Sequence, residues 1–391
     1  MMTFRIIGIT VIICFLTSFT GCWDQVELEK RAVIVAIGID KAEQAGEITL
    51  TLQSVIPNRL IPPIYGGGNP QQRAVRVVST SGKTILEALK NYKQQTNNPP
   101  FLQENQLLII GEDLARDGVG PFIDFFIRSP ESRTRAWVLV SKGKASDVIN
   151  WQSEARRIPA DYIDEMIHSR NSVATFEVED IHHFILKLAN QSSSPSTAGI
   201  ELVPKEANQS PEVRLFGTAV FKKDKLAGWL NYRETSGLLW IINEFRYGIL
   251  ETSFPGKPAQ KVALQIIRAR AEVDPELNNG RIYIKLKITA DGTLGEQSGK
   301  IKLTDKATMR SLEKKAATEI RKEVQAALNK SQKEFNSDVF GFGEEIDRKF
   351  PQRWKTLRQG WEEEFPMLQV FVFTKVKIKG INLIMDPINL K

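Results

Sequence analysis

The sequence predicts an α+β protein, mixed α/β in its first half, built from β-sheets packed with helices. Three observations predict it. Strand-like and helix-like apolar patterns alternate up to residue 150, as expected of helices layered on a sheet. Shorter helical pieces and a hairpin occupy 151–246. From 247 to 391, strands of period two lead into one long helix with a single apolar stripe. At 391 residues, with 42% hydrophobic and 25% charged residues, the chain exceeds one ordinary core, so two or three such units are expected.

Residues 1–21 read as a removable lipoprotein signal peptide. Arg5 is followed by an uncharged run from Ile6 to Gly21, 16 residues long and shorter than a membrane-spanning helix. It ends in Phe19-Thr20-Gly21-Cys22, a small-residue cleavage site before a cysteine. Cys14 would leave with the leader, so Cys22 is the one cysteine of the mature chain and no internal disulfide can form. Diacylglycerol on the Cys22 thiol, with N-acylation, would supply several acyl chains. At ~0.8 kcal/mol per buried methylene, two chains give on the order of 20 kcal/mol of transfer energy, enough for stable anchoring.

The elements follow in order. Ala32 to Asp40 is a short, β-branched apolar run and reads as a buried strand. Glu47 to Val55 places Ile48, Leu50 and Leu52 on one face and Thr49, Thr51 and Gln53 on the other, so the two form a hairpin through Ala45-Gly46. Pro57 to Gln72, with Pro62-Pro63 and Gly66-Gly67-Gly68, reads as a loop. Arg73 to Thr80 is a strand, Thr84 to Gln95 a helix, Gln106 to Ile110 a strand, Glu112 to Arg128 a helix, and Thr134 to Ser141 a strand. These complete a first domain over 22–150.

A middle domain over 151–246 is expected to hold helices at Ile158–His168 and Glu177–Ala189, then a surface loop at Ser192 to Ser196. A second hairpin, Val213 to Phe221 with Leu226 to Leu230, and an apolar helix, Ser236 to Glu244, complete it. The third domain, 247–391, opens with strands Val262–Val273 and Arg281–Ala290, the latter with Ile284, Leu286 and Ile288 facing inward. Thr304 caps a helix whose stripe, Met309, Leu312, Ala316, Ile320, Val324 and Leu328, is read as core. Val370 to Ile381 is a closing strand whose Lys375, Lys377 and Lys379 protect an edge or wet face.

Enzyme chemistry finds no foothold. His182 and His183 are adjacent and point to different sides of a helix, and His168 is remote in sequence, so no metal site is expected. No nucleophile elbow, no phosphate loop and no cofactor fingerprint occurs; Gly341-Phe342-Gly343 lacks a third glycine and a preceding strand. Glu362-Glu363-Glu364 fans around a helix as solvated surface. The net charge is +7, of which residues 301–391 contribute +5 from 18 Lys/Arg and 13 Asp/Glu. Those charges are interleaved, which disfavours nucleic acid and leaves a solvated surface or one facing anionic lipid.

Cys22-Trp23-Asp24 with Glu27, Leu28, Arg31 and Ala32 to Asp40 resembles the mature start of the Ger(x)C lipoproteins, the C subunits of spore germinant receptors. The resemblance continues through Leu107 to Ala115, Asp124 to Arg128, Gly217 to Phe221, Lys225 to Leu230, Glu234 to Trp240 and Asp338 to Gly343, with Pro351 and Trp354. Phe19 and Ser236 depart from the family pattern. The resemblance implies an elongated protein of three mixed-sheet domains, lipid-anchored through Cys22 on the outer leaflet of the spore inner membrane. It implies two partners, the A-type and B-type membrane subunits of a nutrient receptor, and no cofactor, metal or catalytic residue. A solute-binding lipoprotein of a transport system is the alternative, and an exported hydrolase a weaker third.

Overall fold

The computed structural model describes residues 30–60, 73–169, 175–205, 210–254, 256–298 and 305–380. Cys22 and the leader, residues 61–72 of the expected loop, Thr304 and Ile381 lie outside them.

One ten-stranded sheet contains the strands of the first three-fifths of the chain. They are β1 (Ala32–Lys41), β2 (Ile48–Val55), β3 (Val75–Gly82), β4 (Pro100–Phe101), β5 (Leu107–Gly111), β6 (Trp137–Ser141), β7 (Glu179–Asp180), β8 (Ser196–Val203), β9 (Glu212–Lys222) and β10 (Lys225–Leu230). The spatial order is β10-β9-β8-β6-β5-β1-β2-β3, with β4 on β1 and β7 on β6. The four central strands, β8, β6, β5 and β1, run parallel; antiparallel hairpins extend both sides.

The expected hairpins are therefore present, but the strands of the middle region form no sheet of their own. β8 pairs with β6, and the β9–β10 hairpin is carried along as the sheet's far edge. A hairpin alone is marginal in water; adding it to an existing buried edge removes that cost.

Helices cover both faces of this sheet. On one lie α1 (Ile85–Gln95), α2 (Glu112–Asp117), α3 (Gly120–Arg128) and α6 (Ile181–Ala189), contributing Tyr92, Leu114, Phe126 and Phe184. On the other lie α4 (Ala145–Asn150) and α5 (Pro159–His168), contributing Val148, Ile149, Ile163 and Ile167. The single helix expected over Glu112–Arg128 is two, because Gly118 takes φ +130° and Pro121 starts the second. Thr51 and Gln53, read as the polar face of β2, are buried: α4 lies over them, and Gln53 Nε2 donates to the Ile149 carbonyl at 2.8 Å.

The second sheet has the order β11 (Ile249–Phe254), β12 (Lys257–Asn278), β13 (Arg281–Gln297) and β14 (Gln369–Gly380). β13 and β14 run parallel, the rest antiparallel. β12 continues past Val273 through Pro275, because beyond Gln265 it pairs only with β13 and a missing N–H on its open side leaves no gap in a ladder. Helices α7 (Tyr232–Ile241) and α8 (Lys306–Asn329) pack on one face. Leu312, Ala316, Ile320, Val324 and Leu328 of α8 are buried as its stripe requires, and Asp305 caps it, accepting from Thr308 N at 2.8 Å. The other face of this sheet carries exposed side chains.

Candidate functional site

Among the described residues neither sheet gathers a metal-ligating cluster, and the built feature is the joint between them. It is made by the segment after α8. The helix runs into a wider turn, Lys330–Phe335, and Asn336 reverses the chain at φ +48°. Ser337 Oγ then donates to the Phe221 carbonyl of β9 at 2.6 Å, and Ser194 N donates to the Asp338 carbonyl at 2.8 Å.

Asp338 organises the turn. Its carboxylate accepts from the N–H groups of Phe340 (3.2 Å), Phe342 (3.2 Å) and Gly343 (2.9 Å) and from Trp361 Nε1 (3.3 Å). Burial pushes this carboxyl up to about 6, against the pull of those four donors. Gly341 sits at φ +74°, and a Cβ on Gly343 would lie 2.4 Å from the Ser192 carbonyl oxygen, so the Asp-Val-Phe-Gly-Phe-Gly run is dictated by close packing. It opens α9 (Phe342–Lys349), whose Glu344 accepts from Asn190 Nδ2 at 2.8 Å and Ser193 Oγ at 2.6 Å.

Residues 192–196, expected on the surface, are therefore largely buried: Ser192 and Ser193 lie under the joint, Ser194 is half-buried, and Ser196 is fully covered and donates to Glu177. The Ser193 and Ser196 hydroxyls donate to the Glu344 and Glu177 carboxylates, a role their loop-like composition does not reveal. Glu362, on the one-turn helix α10 (Trp361–Glu364), pairs with Lys223 at 3.0 Å and Lys222 at 3.6 Å, so this acidic surface residue is part of the same seam. A groove of about 900 Å3 opens beside the joint, with Ile123, Ile185 and Leu188 on one wall and Trp361 and Phe365 on the other.

Two further groups of ionisable side chains are partly buried. Glu177 and Glu179 share Lys187, at 3.4 and 2.6 Å. Burial works against the Lys187 ammonium, but the two carboxylates outweigh it and hold it above its ordinary value. Glu179 is raised by burial and by the charge of Glu177. On α8, Glu323 accepts from Trp240 Nε1 at 2.8 Å, and burial pushes it up to about 7.

The histidines stay apart from any such cluster: His168 contacts Asp164, while His182 and His183 adjoin each other and His183 bonds Asp180 at 2.8 Å. Among the described residues no group of three or more His, Cys, Asp or Glu is placed to hold a metal. Asp40, read as the end of the first strand, has a role that sequence reasoning missed: it caps α4 across the sheet, accepting from Ala145 N at 2.6 Å and Ser146 N at 2.8 Å. The approach leaves no room for a side chain at Gly111, whose Cβ would lie 2.2 Å from Asp40 Oδ1. Cys22 lies outside the described residues.

This architecture and its glycine-tight joint accompany sequence kinship along the whole chain. Residues 24–202 match the family model for the spore germination protein N-terminal domain, and residues 216–382 that for the spore germination B3/GerAC-like C-terminal region. The chain belongs to the Ger(x)C family. Bacillus subtilis spore germination protein KC is 28% identical over 387 residues, covering 94% of each chain, and B. subtilis spore germination protein B3 is 24% identical over 91% of this chain and 92% of that one. A crystal structure of the GerBC protein shares the fold, with a TM-score of 0.58 and 18% identity over 88% of this chain and 96% of that one. In this Ger(x)C chain the seam between the two matched segments falls between β8 and β9, yet those strands pair within one sheet. Among the described residues no helix is long and apolar enough to cross a membrane.

Proposed function

We propose that this Ger(x)C chain is the non-catalytic, lipid-anchored C subunit of a spore nutrient germinant receptor. It is held by acylated Cys22 on the outer leaflet of the cell membrane and, in the spore, of the inner membrane. There it assembles with the A-type and B-type membrane subunits. The observation that carries this reading is kinship over 94% of its length to spore germination protein KC, through both halves of the molecule. The leader ending at Cys22 supports the anchor, and a two-chain anchor would hold the folded body at high local concentration beside membrane partners. The buried joint supports a body that presents both sheets to those partners as one unit.

The test is affinity purification of a C-terminally tagged copy from detergent-solubilised spore membranes, with mass spectrometry of its companions and its N-terminal peptide. A diacylated Cys22 recovered with two polytopic receptor subunits is the expected result. Recovery with a permease and its ATPase, or with no companion, overturns it in favour of a solute-binding lipoprotein. Cys22→Ala is expected to abolish acylation, and an unchanged detergent-resistant membrane association of that variant would refute the anchor.

A further inference from the structure

The outer face of the four-stranded sheet carries a charge pattern that strand register alone assembles. Arg270 lies opposite Thr289, which lies opposite Lys375; one row on, Arg268 lies opposite Asp291, which lies opposite Lys377. Each of the four cations is exposed, while their neighbours along the strands, Ala269, Thr374 and Val376, turn to the helix-covered side. With strands ~4.8 Å apart and same-face rows ~6.8 Å apart, the four cations stand at the corners of a rectangle of about 10 by 7 Å.

Their ionic environment is one-sided. The acids farther down this face are each matched: Glu272 with Lys287 at 3.2 Å, Glu276 with Lys285 at 3.1 Å, and Asp274 with Lys349 at 2.5 Å. Arg268, Arg270, Lys375 and Lys377 have no ion-pair partner among the described residues, and the one acid between them, Asp291, lies 3.8 Å from Lys379. The same strand presents two exposed rings just before the lysines, Phe371 (48%) and Phe373 (53%). Along β14 the outward residues therefore run Phe371, Phe373, Lys375 and Lys377, two rings and then two cations without an ion-pair partner; the rings also line a groove shared with Arg353 and Leu357.

We infer that this face is a docking surface for anionic phospholipid. Unpaired cations meet phosphate headgroups, and the rings enter the boundary between headgroups and acyl chains, the arrangement that gives an interfacial protein both electrostatic and apolar affinity. An acidic protein partner would be matched by the cations but gives the adjoining rings no role, which favours the bilayer. The inference rests on the anchoring reading only for the presence of a bilayer nearby.

The experiment uses the chain from residue 23 onward, which lacks leader and anchor yet contains every element of both cores. Co-sedimentation is measured with vesicles of phosphatidylglycerol and phosphatidylcholine in equal parts, and with phosphatidylcholine alone. Binding to the anionic vesicles alone, abolished by ~0.5 M salt, is expected. At about fivefold per cation, Arg268→Glu, Arg270→Glu, Lys375→Glu and Lys377→Glu together are expected to weaken binding by several hundredfold or more. A control of equal charge change, Lys83→Glu, Lys90→Glu, Lys93→Glu and Lys144→Glu on the other sheet's surroundings, is expected to weaken it less than tenfold. Phe371→Ser with Phe373→Ser is expected to lower binding while keeping its salt dependence. Circular dichroism and melting of each variant separate lost binding from lost folding. Equal losses in patch and control variants, equal binding to both vesicle types, or patch variants that bind like the parent each overturn the inference. Because Cys22 is absent throughout, such a failure leaves the anchor standing, and the anchor's own failure is read from the N-terminal peptide.

Discussion

The ten-stranded sheet is covered on both faces and the four-stranded sheet on one, and this difference governs how each tolerates change. In the first, β5 reads Leu107-Leu108-Ile109-Ile110, and every one of these residues is buried, alternate side chains belonging to two separate cores. Parallel strands under helices have no wet side, so their sequences lose alternation. In the second, β13 alternates: Ile284, Leu286 and Ile288 are buried, and Tyr283, Lys285 and Lys287 lie on the open face. Covering, and not strand propensity, decides which pattern a strand shows.

The difference can be broken or sharpened by substitution. Trp240→Ala removes the largest fully buried ring, stacked on Phe245 at 3.7 Å, and is expected to destabilise by about 3–5 kcal/mol in urea titration. A loss under ~1 kcal/mol would mean that α7 is not a core helix of the second unit. Leu108→Ala and Ile109→Ala, on opposite faces of β5, are each expected to cost about 2–5 kcal/mol, whereas on β13 Leu286→Ala costs that much and Lys287→Ala less than ~1 kcal/mol. Equal losses for Leu286 and Lys287 would erase the distinction between the sheets.

Acidity probes the second unit through Glu323. Its carboxyl stands at about 7 in the folded chain against an ordinary 4.5, so the folded state binds that proton more tightly. Its contribution is present in full below the unfolded value and is lost as pH rises through about 7, a change of roughly 3 kcal/mol. Stability should therefore fall between pH 5 and 8, and Glu323→Gln should flatten that slope while keeping an acceptor for Trp240; an unaltered slope would reject the assignment. Asp338, at about 6, adds to the decline in the same direction at slightly lower pH. A smaller loss than at the core positions is expected at the joint, where Gly343→Ala should cost about 1–3 kcal/mol as the Ser192 backbone gives way, with unfolding monitored by Trp fluorescence.

Much of the second unit was legible in the chain. Period-two strands and the stripe from Leu312 to Leu328 need only local periodicity, and one buried face makes that periodicity visible. Trp240 and Trp354, surrounded by apolar helical positions, are buried as those surroundings suggest. The first unit was harder to read. The buried polar face of β2 and the capping role of Asp40 depend on partners up to 106 residues away, and the chain just after Gly118 is tied to Asp224, whose carbonyl accepts from Val119 N. The joint was the least legible. Its glycines and Asp338 formed a visible motif, but its counterpart, Ser192 to Ser196, has the composition of a surface loop and becomes interior only when Gly343 and Glu344 close over it.

By itself the sequence determined the alternation of strands and helices, the hairpins, the amphipathic helix, the leader pattern before Cys22 and the family. These depend on residue type and on spacings of two to four, which are properties of the chain. The tertiary structure decided that β8 to β10 complete the first sheet, that the serine segment is buried, and that Arg268, Arg270, Lys375 and Lys377 share one face. Those outcomes join residues about 20 to more than 100 positions apart, and only the pairing of distant strands and the closure of one unit on another fixes such neighbours.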